Sequence, residues 1–251
     1  MLTASEIYKG LSTATPAQKH ELIMSKLKPR VIAEGAGARA LVWGTRFEPI
    51  AKDIYSREGE HLAIVDTTCV PHPTVPFLGA SPDGILMTSD LESPRYGRLV
   101  EFKCPISRVF TDDSPIPDAY VHQMQLQMEC TGLRVCEYVE FQFRTPTYTE
   151  WVNYAGRKGF FAVSDDETKV IYKDLDDTRD PATWREQMLP SEEWYLVYWT
   201  LEKYRMKQVD HDPEWLPTHL PSFTEIWKTV QEHRAAGTVP DHPKEKTILM
   251  I

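Results

Sequence analysis

At 251 residues, with 41% hydrophobic residues and a net charge of −9, the chain has material for one large α/β domain with a real core. No apolar run approaches the roughly 20 residues of a membrane helix, and the N-terminal MLTASEIYKG lacks the apolar segment of a signal peptide. A soluble intracellular protein with no membrane partner is the expectation. The four cysteines, Cys69, Cys104, Cys130 and Cys136, show neither CxxC spacing nor the density of a secreted scaffold, so reduced and mostly buried thiols are expected.

The acidic balance sits poorly with a nucleic-acid partner until it is divided along the chain, because phosphate contacts need local positive charge. Residues 1–60 carry nine Lys/Arg and seven Asp/Glu, residues 61–159 eight and twelve, and residues 160–251 eleven and eighteen. The acid excess therefore lies mainly in the last third. Some acids of the middle third have the character of metal ligands, whose charge a bound cation reverses locally.

From Ala40 to Tyr55, Trp43, Phe47, Ile50, Ala51 and Ile54 follow the spacing of an amphipathic helix. After Gly59, the runs HLAIVDTTCV, FLGASPDGIL and RLVEFKC read as three strands of a mostly antiparallel meander. DAYVHQMQLQMECT, residues 118–131, ends at Gly132 and reads as a second helix, and CEYVEFQFR alternates with period two as a returning strand. Past residue 160 a charged loop precedes two helical stretches. One places Trp194, Val197, Tyr198 and Leu201 on one face behind an N-cap at Ser191; the other opens with a Ser222–Glu225 capping box and stops at Gly237. The division expected is a core over residues 1–159 and a C-terminal strand, loop and helical extension over 160–251, packed as one domain.

The chemistry concentrates in two of the strands. Asp83 follows Pro82 at the end of one, while Glu101 and Lys103 lie on the next, two apart and hence on one face, with Phe102 turned to the other. If the strands pair as a hairpin, two carboxylates and an ammonium meet at one point. Hard oxygen ligands from Asp83 and Glu101, with the backbone carbonyl of Phe102, suit Mg²⁺ or Mn²⁺. Such a cation polarises a scissile phosphate and helps generate hydroxide, and a second can stabilise the leaving oxygen, so two ions per site are expected. Lys103 would orient the attacking water; as a base it would need a lowered pKa. Glu and Lys two apart on a strand are commonly solvated edge charges, and the Pro-Asp-Gly turn eighteen positions before Glu101 strengthens the signal without settling it.

Five blocks in order add to it: Leu2 to Glu6, Trp43-Gly44 with Phe47-Glu48, Ser81-Pro82-Asp83-Gly84, Glu101-Phe102-Lys103-Cys104-Pro105, and Tyr120 to Met128. In these blocks the sequence resembles the lambda exonuclease or YqaJ-like viral recombinase family of PD-(D/E)XK nucleases, over residues 2 to about 145. The resemblance implies an α/β fold of the restriction-endonuclease type, a central mixed sheet flanked by helices with a helical C-terminal extension. It implies 5′→3′ digestion of one strand of linear double-stranded DNA to mononucleotides, a single-strand annealing partner, a ring-shaped homotrimer, and action in host cytoplasm or nucleus for a viral member. It makes Asp83 and Glu101 metal ligands and Lys103 the water-positioning lysine. Glu48 and Gln123 become supporting active-site groups, and Ser5 and Ser81 contacts of the terminal phosphate. Family members place an arginine before the Thr-Ala-Ser block; this sequence starts at Met1, and Lys9, Arg30 and Arg39 are the candidate substitutes.

Each role has a plainer counterpart. Glu48 could be a surface glutamate, Thr3 and Ser5 could cap the first helix, and Gln123, Gln125 and Gln127 could be solvating glutamines, with Gln125 second to Gln123 for an active-site role. His122 lacks a second histidine at ligand spacing and reads as structural. Most of the seven tryptophans read as core. Two other functions remain open at this point: an endonuclease or structure-specific repair nuclease of the same class, and a non-catalytic DNA-binding or assembly protein.

Overall fold

The computed structural model describes residues 1–28, 35–58, 62–191 and 193–243. Strand β1 (Leu2–Thr3) runs into a 3-10 helix, Ala4–Gly10, closed by a Thr3–Glu6 capping box. Helix α1 (Pro16–Leu27) starts at a Thr15–Gln18 capping box with Pro16 in its first turn, where a missing N–H costs nothing. Helix α2 (Gly35–Ser56) follows, then β2 (Ala63–Val65), β3 (Val70–Pro71), β4 (Leu78–Ala80), β5 (Gly84–Met87) and β6 (Leu99–Lys103). Helix α3 (Asp118–Thr131) ends at Gly132, whose φ of 73° is the left-handed cap only glycine adopts freely. Then come β7 (Val135–Arg144), α4 (Tyr148–Asn153), β8 (Lys158–Ser164), β9 (Val170–Tyr172), α5 (Pro181–Met188), β10 (Trp194–Asp210) and α6 (Trp215–Ala236).

The main sheet has seven strands in the order β2-β5-β6-β7-β10-β8-β9, and every pairing is antiparallel except β6 with β7. A parallel pair needs a crossover, and α3 supplies it. That places α3 over the sheet face that carries residues 99, 101 and 103, where Leu99, Met124, Met128, Cys136 and Tyr138 pack together. On the opposite face α2 buries Phe47, Ile50, Ala51 and Ile54 against Val100, Phe102, Val139 and Phe141. A smaller sheet, β1-β4-β3, sets β1 parallel to β4 and carries a second core shared by the 3-10 helix, α1, α3 and α6. The described cysteines are all free, with Cys69 exposed and the other three buried. No helix among the described residues is long and apolar enough to cross a membrane.

Three expectations differ from what is found. FLGASPDGIL is two strands, not one: the chain breaks at Ser81-Pro82-Asp83, leaving β4 in the small sheet and β5 in the main one, with β2, β5 and β6 as the antiparallel meander. The stretch around Trp194 to Leu201 is not a helix capped by Ser191 but the first half of a seventeen-residue strand. It lies inside the sheet, with Val197, Trp199 and Leu201 in one core and Trp194, Leu196 and Tyr198 in another, so both faces are apolar and the alternation is hidden. Helix α6 begins at Trp215, and Ser222 is buried inside it rather than capping it. Pro217 belongs to the first turn, where proline is tolerated, and Pro221 is carried in the interior.

Candidate active site

Strands β5 and β6 pair with Gly84 opposite Val100 and Ile85 opposite Leu99. One position further along, Asp83 stands across from Glu101, and cross-strand partners share a face. The Phe102 N–H donates to Asp83 Oδ2 at 2.7 Å, which locks the carboxylate to the strand that bears its partner. Gly84 is required here: a Cβ would come 2.5 Å from Ile64 Cγ2 and 3.2 Å from the Val65 carbonyl oxygen, so a side chain would push β2 away.

Glu101 is 1% exposed, and both its carboxylate oxygens are engaged. Lys103 Nζ donates to Oε1, as does Gln123 Nε2 at 2.6 Å, while Gln127 Nε2 donates to Oε2 at 2.7 Å. Lys103 also lies 4.7 Å from the centre of the Tyr120 ring, which steadies its ammonium. A groove of about 530 Å³ opens at this corner, lined by Gly44 and Glu48 of α2, by Lys103, by Arg108 of the segment after β6, and by Tyr120.

The electrostatics are those of crowded carboxylates. Burial, then the charges of Glu101 and Glu48, push the Asp83 carboxyl well above its usual range, against the pull of Lys103 and the Phe102 N–H. Burial alone would lower the Lys103 pKa, but Glu101 and Asp83 outweigh it and hold the ammonium charged. Among the described residues no three His, Cys, Asp or Glu side chains form a ready cation cage. Asp83 and Glu101 offer two neighbouring carboxylates, a sparse hard-oxygen set of the kind that suits a cation keeping several of its own waters. Repulsion around Asp83 is the kind a divalent cation relieves.

Residues 1–134, more than half of the chain, match the YqaJ-like viral recombinase domain. The chain belongs to that family. Solved structures agree on the fold of this YqaJ-like chain. The exonuclease LHK-Exo in complex with dAMP is 21% identical with a TM-score of 0.55, covering 94% of this chain and 93% of that one. The alkaline exonuclease LHK-Exo from Laribacter hongkongensis is 20% identical at 0.54, over 94% and 92%. A phage-related exonuclease from Haemophilus somnus 129PT is 15% identical at 0.57, over 94% and 96%. No curated protein matches. The fold is thus that of the lambda-exonuclease-type PD-(D/E)XK nucleases.

The remaining candidates of this YqaJ-like domain fall at different distances from the corner. Glu48 lines the groove and pairs with Lys52 at 3.2 Å. Ser5 and Ser81, both exposed, stand just past the parallel register of β1 and β4, which aligns Leu2 with Leu78 and Thr3 with Gly79 and so brings the N-terminal segment beside Ser81-Pro82-Asp83. Thr3, not Ser5, makes the helix cap. Gln125 turns away from the site, donating to the Asp210 carbonyl and accepting from the Asp212 N–H, both at 2.9 Å. His122 Nδ1 accepts from Trp215 Nε1 at 2.8 Å and ties α3 to α6. Lys9 is paired with Glu21, Arg39 is exposed beside a second groove, and Arg30 lies outside the described residues.

Sequence reasoning passed over Gln127 as a site residue and did not consider Lys52 or Arg108. Gln127 and Lys52 had a signal, since each is four residues along a helix from a chosen residue, Gln123 and Glu48, and so shares its face. Arg108 had none. It sits in irregular chain, where it pairs with Glu140 and donates to the Tyr138 hydroxyl at 3.1 Å.

Proposed function

We propose that the chain is a metal-dependent DNA exonuclease that digests linear double-stranded DNA 5′→3′ to mononucleotides during recombination or viral genome processing. The observation that carries this reading is the meeting of Asp83 and Glu101 across β5 and β6, with Glu101 hydrogen-bonded by Lys103, which lines the adjoining groove. Exonucleases of the same fold support it, one of them holding dAMP, a deoxymononucleotide.

In this reading Asp83, Glu101 and the Phe102 carbonyl hold Mg²⁺ or Mn²⁺, as one or two ions, which supply Lewis-acid polarisation of the phosphate and an activated water. Lys103 donates toward the attacking water and the developing negative charge. Gln123 holds Glu101 in place, and Glu48 adds a further acceptor at the groove wall. Ser5 and Ser81 receive the terminal phosphate. A ring-shaped homotrimer and delivery of the remaining strand to a single-strand annealing protein belong to the same reading.

The test is a set of duplexes labelled at either end, offered with Mg²⁺ beside closed circles. Loss of label from the 5′ end as mononucleotide, none from circles and none in EDTA is the expected result. Cleavage of circles would replace the exonuclease with an endonuclease, and undiminished digestion in EDTA would remove the metal.

A further inference from the structure

Gln127 is fully buried, and its amide nitrogen donates to Glu101 Oε2 at 2.7 Å. Its Oε1 is buried too and has no hydrogen-bond partner among the described residues. Turning the amide over would not mend this, because it would set oxygen against a carboxylate oxygen. An orphaned buried acceptor is destabilising, and a methionine, like its helix neighbours Met124 and Met128, would fill the same space without one. Packing therefore does not explain an amide here; Glu101 does.

A carboxylate offers about four lone-pair positions. Lys103 and Gln123 take two on Oε1, and Gln127 takes one on Oε2. One position is left. We propose that Gln127 is a positioning residue that, with Gln123 one helical turn away, fixes Glu101 so that a single lone pair on Oε2 faces a small divalent cation. The inference rests on the metal-site reading above. Both amides come from α3, so the carboxylate is held relative to a helix packed on the sheet, not to the mobile end of a chain. A single, directed donor favours a cation with strict octahedral demands over Ca²⁺, which tolerates loose and bidentate binding.

The experiment is calorimetric titration of the full chain, without DNA, with Mn²⁺ and separately with Ca²⁺. Gln127→Met should weaken Mn²⁺ by about 10- to 100-fold, the usual consequence of removing a ligand's support, and weaken Ca²⁺ less. Gln125→Met, on the same helix as Gln127, breaks the bonds to Asp210 at the end of β10 and to Asp212 after it, and should lower the melting temperature and leave Mn²⁺ affinity unchanged. Gln127→Ser withdraws the same donor and serves if the methionine variant does not fold. Wild-type Mn²⁺ affinity and selectivity in either folded variant overturns the proposal, and so does failure of both to fold, which would make Gln127 a packing residue. A wild-type chain that binds no Mn²⁺ overturns the metal-site reading itself, and the role of Gln127 with it.

Discussion

Asp83 shows at the scale of one residue how the site is kept ready at a cost to the fold. Its carboxyl is held well above the ordinary range, first by burial and then by Glu101 and Glu48. A group whose folded pKa is raised stabilises fully below its unfolded pKa of about 4, and that contribution is lost as pH rises through the folded value. At pH 8 the metal-free protein has therefore lost stability that it holds at pH 4. Asp83→Asn should raise the metal-free melting temperature at pH 8, have little effect at pH 4, and lower nuclease activity by more than about a hundredfold, beyond what loss of a supporting group does. A lower melting temperature at pH 8 would show the carboxylate to be structural. Lys103 behaves oppositely, since its partner Glu101 is buried and loses a charge-assisted bond with it. Lys103→Met should lose activity to a similar degree, and Lys103→Arg should not restore it, because a planar guanidinium fork does not reproduce the compact ammonium's contact with Glu101 Oε1.

Between elements, buried polar contacts decide what holds and when. His219 Nδ1 accepts from the Ser12 N–H and contacts its hydroxyl at 2.9 Å, His122 accepts from Trp215, and the two rings meet edge to face at 5.8 Å. Both histidine pKa values are lowered, first by burial and for His219 also by His122, with Asp118 and Asp212 pulling weakly upward. A depressed histidine contributes stability that is present above about pH 6.5 and lost as pH falls. The margin by which the wild-type melting temperature exceeds that of His219→Gln should shrink between pH 7.5 and pH 5; an unchanged margin would place the acid sensitivity elsewhere. Glu140 on β7, 0% exposed, pairs with Arg108 and with Arg205 of β10 at 2.8 Å, and Arg205 donates to the Thr111 carbonyl at 2.6 Å. Glu140→Ala strands a buried guanidinium and should destabilise by about 3–5 kcal/mol in urea titration. These contacts were illegible in the sequence because they join positions 32 to 207 residues apart. What was legible is local: α3 from its period and Gly132, and the Asp83, Glu101 and Lys103 face from period two. Strand β10 was misread because apolar residues on both of its faces mimic a helical stripe, although Trp194-Tyr195-Leu196-Val197-Tyr198-Trp199-Thr200 is the composition strands favour.

For the whole molecule the question is how a chain of net charge −9 takes hold of a polyanion. The cations at the groove do not answer it alone, because each is already matched: Lys103 by Glu101, Arg108 by Glu140, and Lys52 behind Glu48 by that residue and Asp66. With Asp83, Glu101 and Glu48 gathered at the same corner, the metal-free groove offers a phosphate little attraction. Bound divalent cations would reverse that sign locally, whatever the charge of residues 160–251. Ca²⁺ supplies the charge without the strict geometry around the attacking water, so it should support binding and not digestion. The expected outcome is at least a tenfold tighter Kd, about 1.4 kcal/mol, for a fluorescent linear duplex in Ca²⁺ than in EDTA, measured by anisotropy at one fixed ionic strength since salt alone shifts such affinities. The duplex should stay intact throughout. In Asp83→Ala the Ca²⁺ effect should shrink, because one of the two carboxylates proposed to hold the ion is gone. Equal affinity in Ca²⁺ and EDTA for the wild-type chain would mean that the protein's own cations outside this groove carry the DNA, and the exposed Arg39 beside the neighbouring groove would be the first to replace.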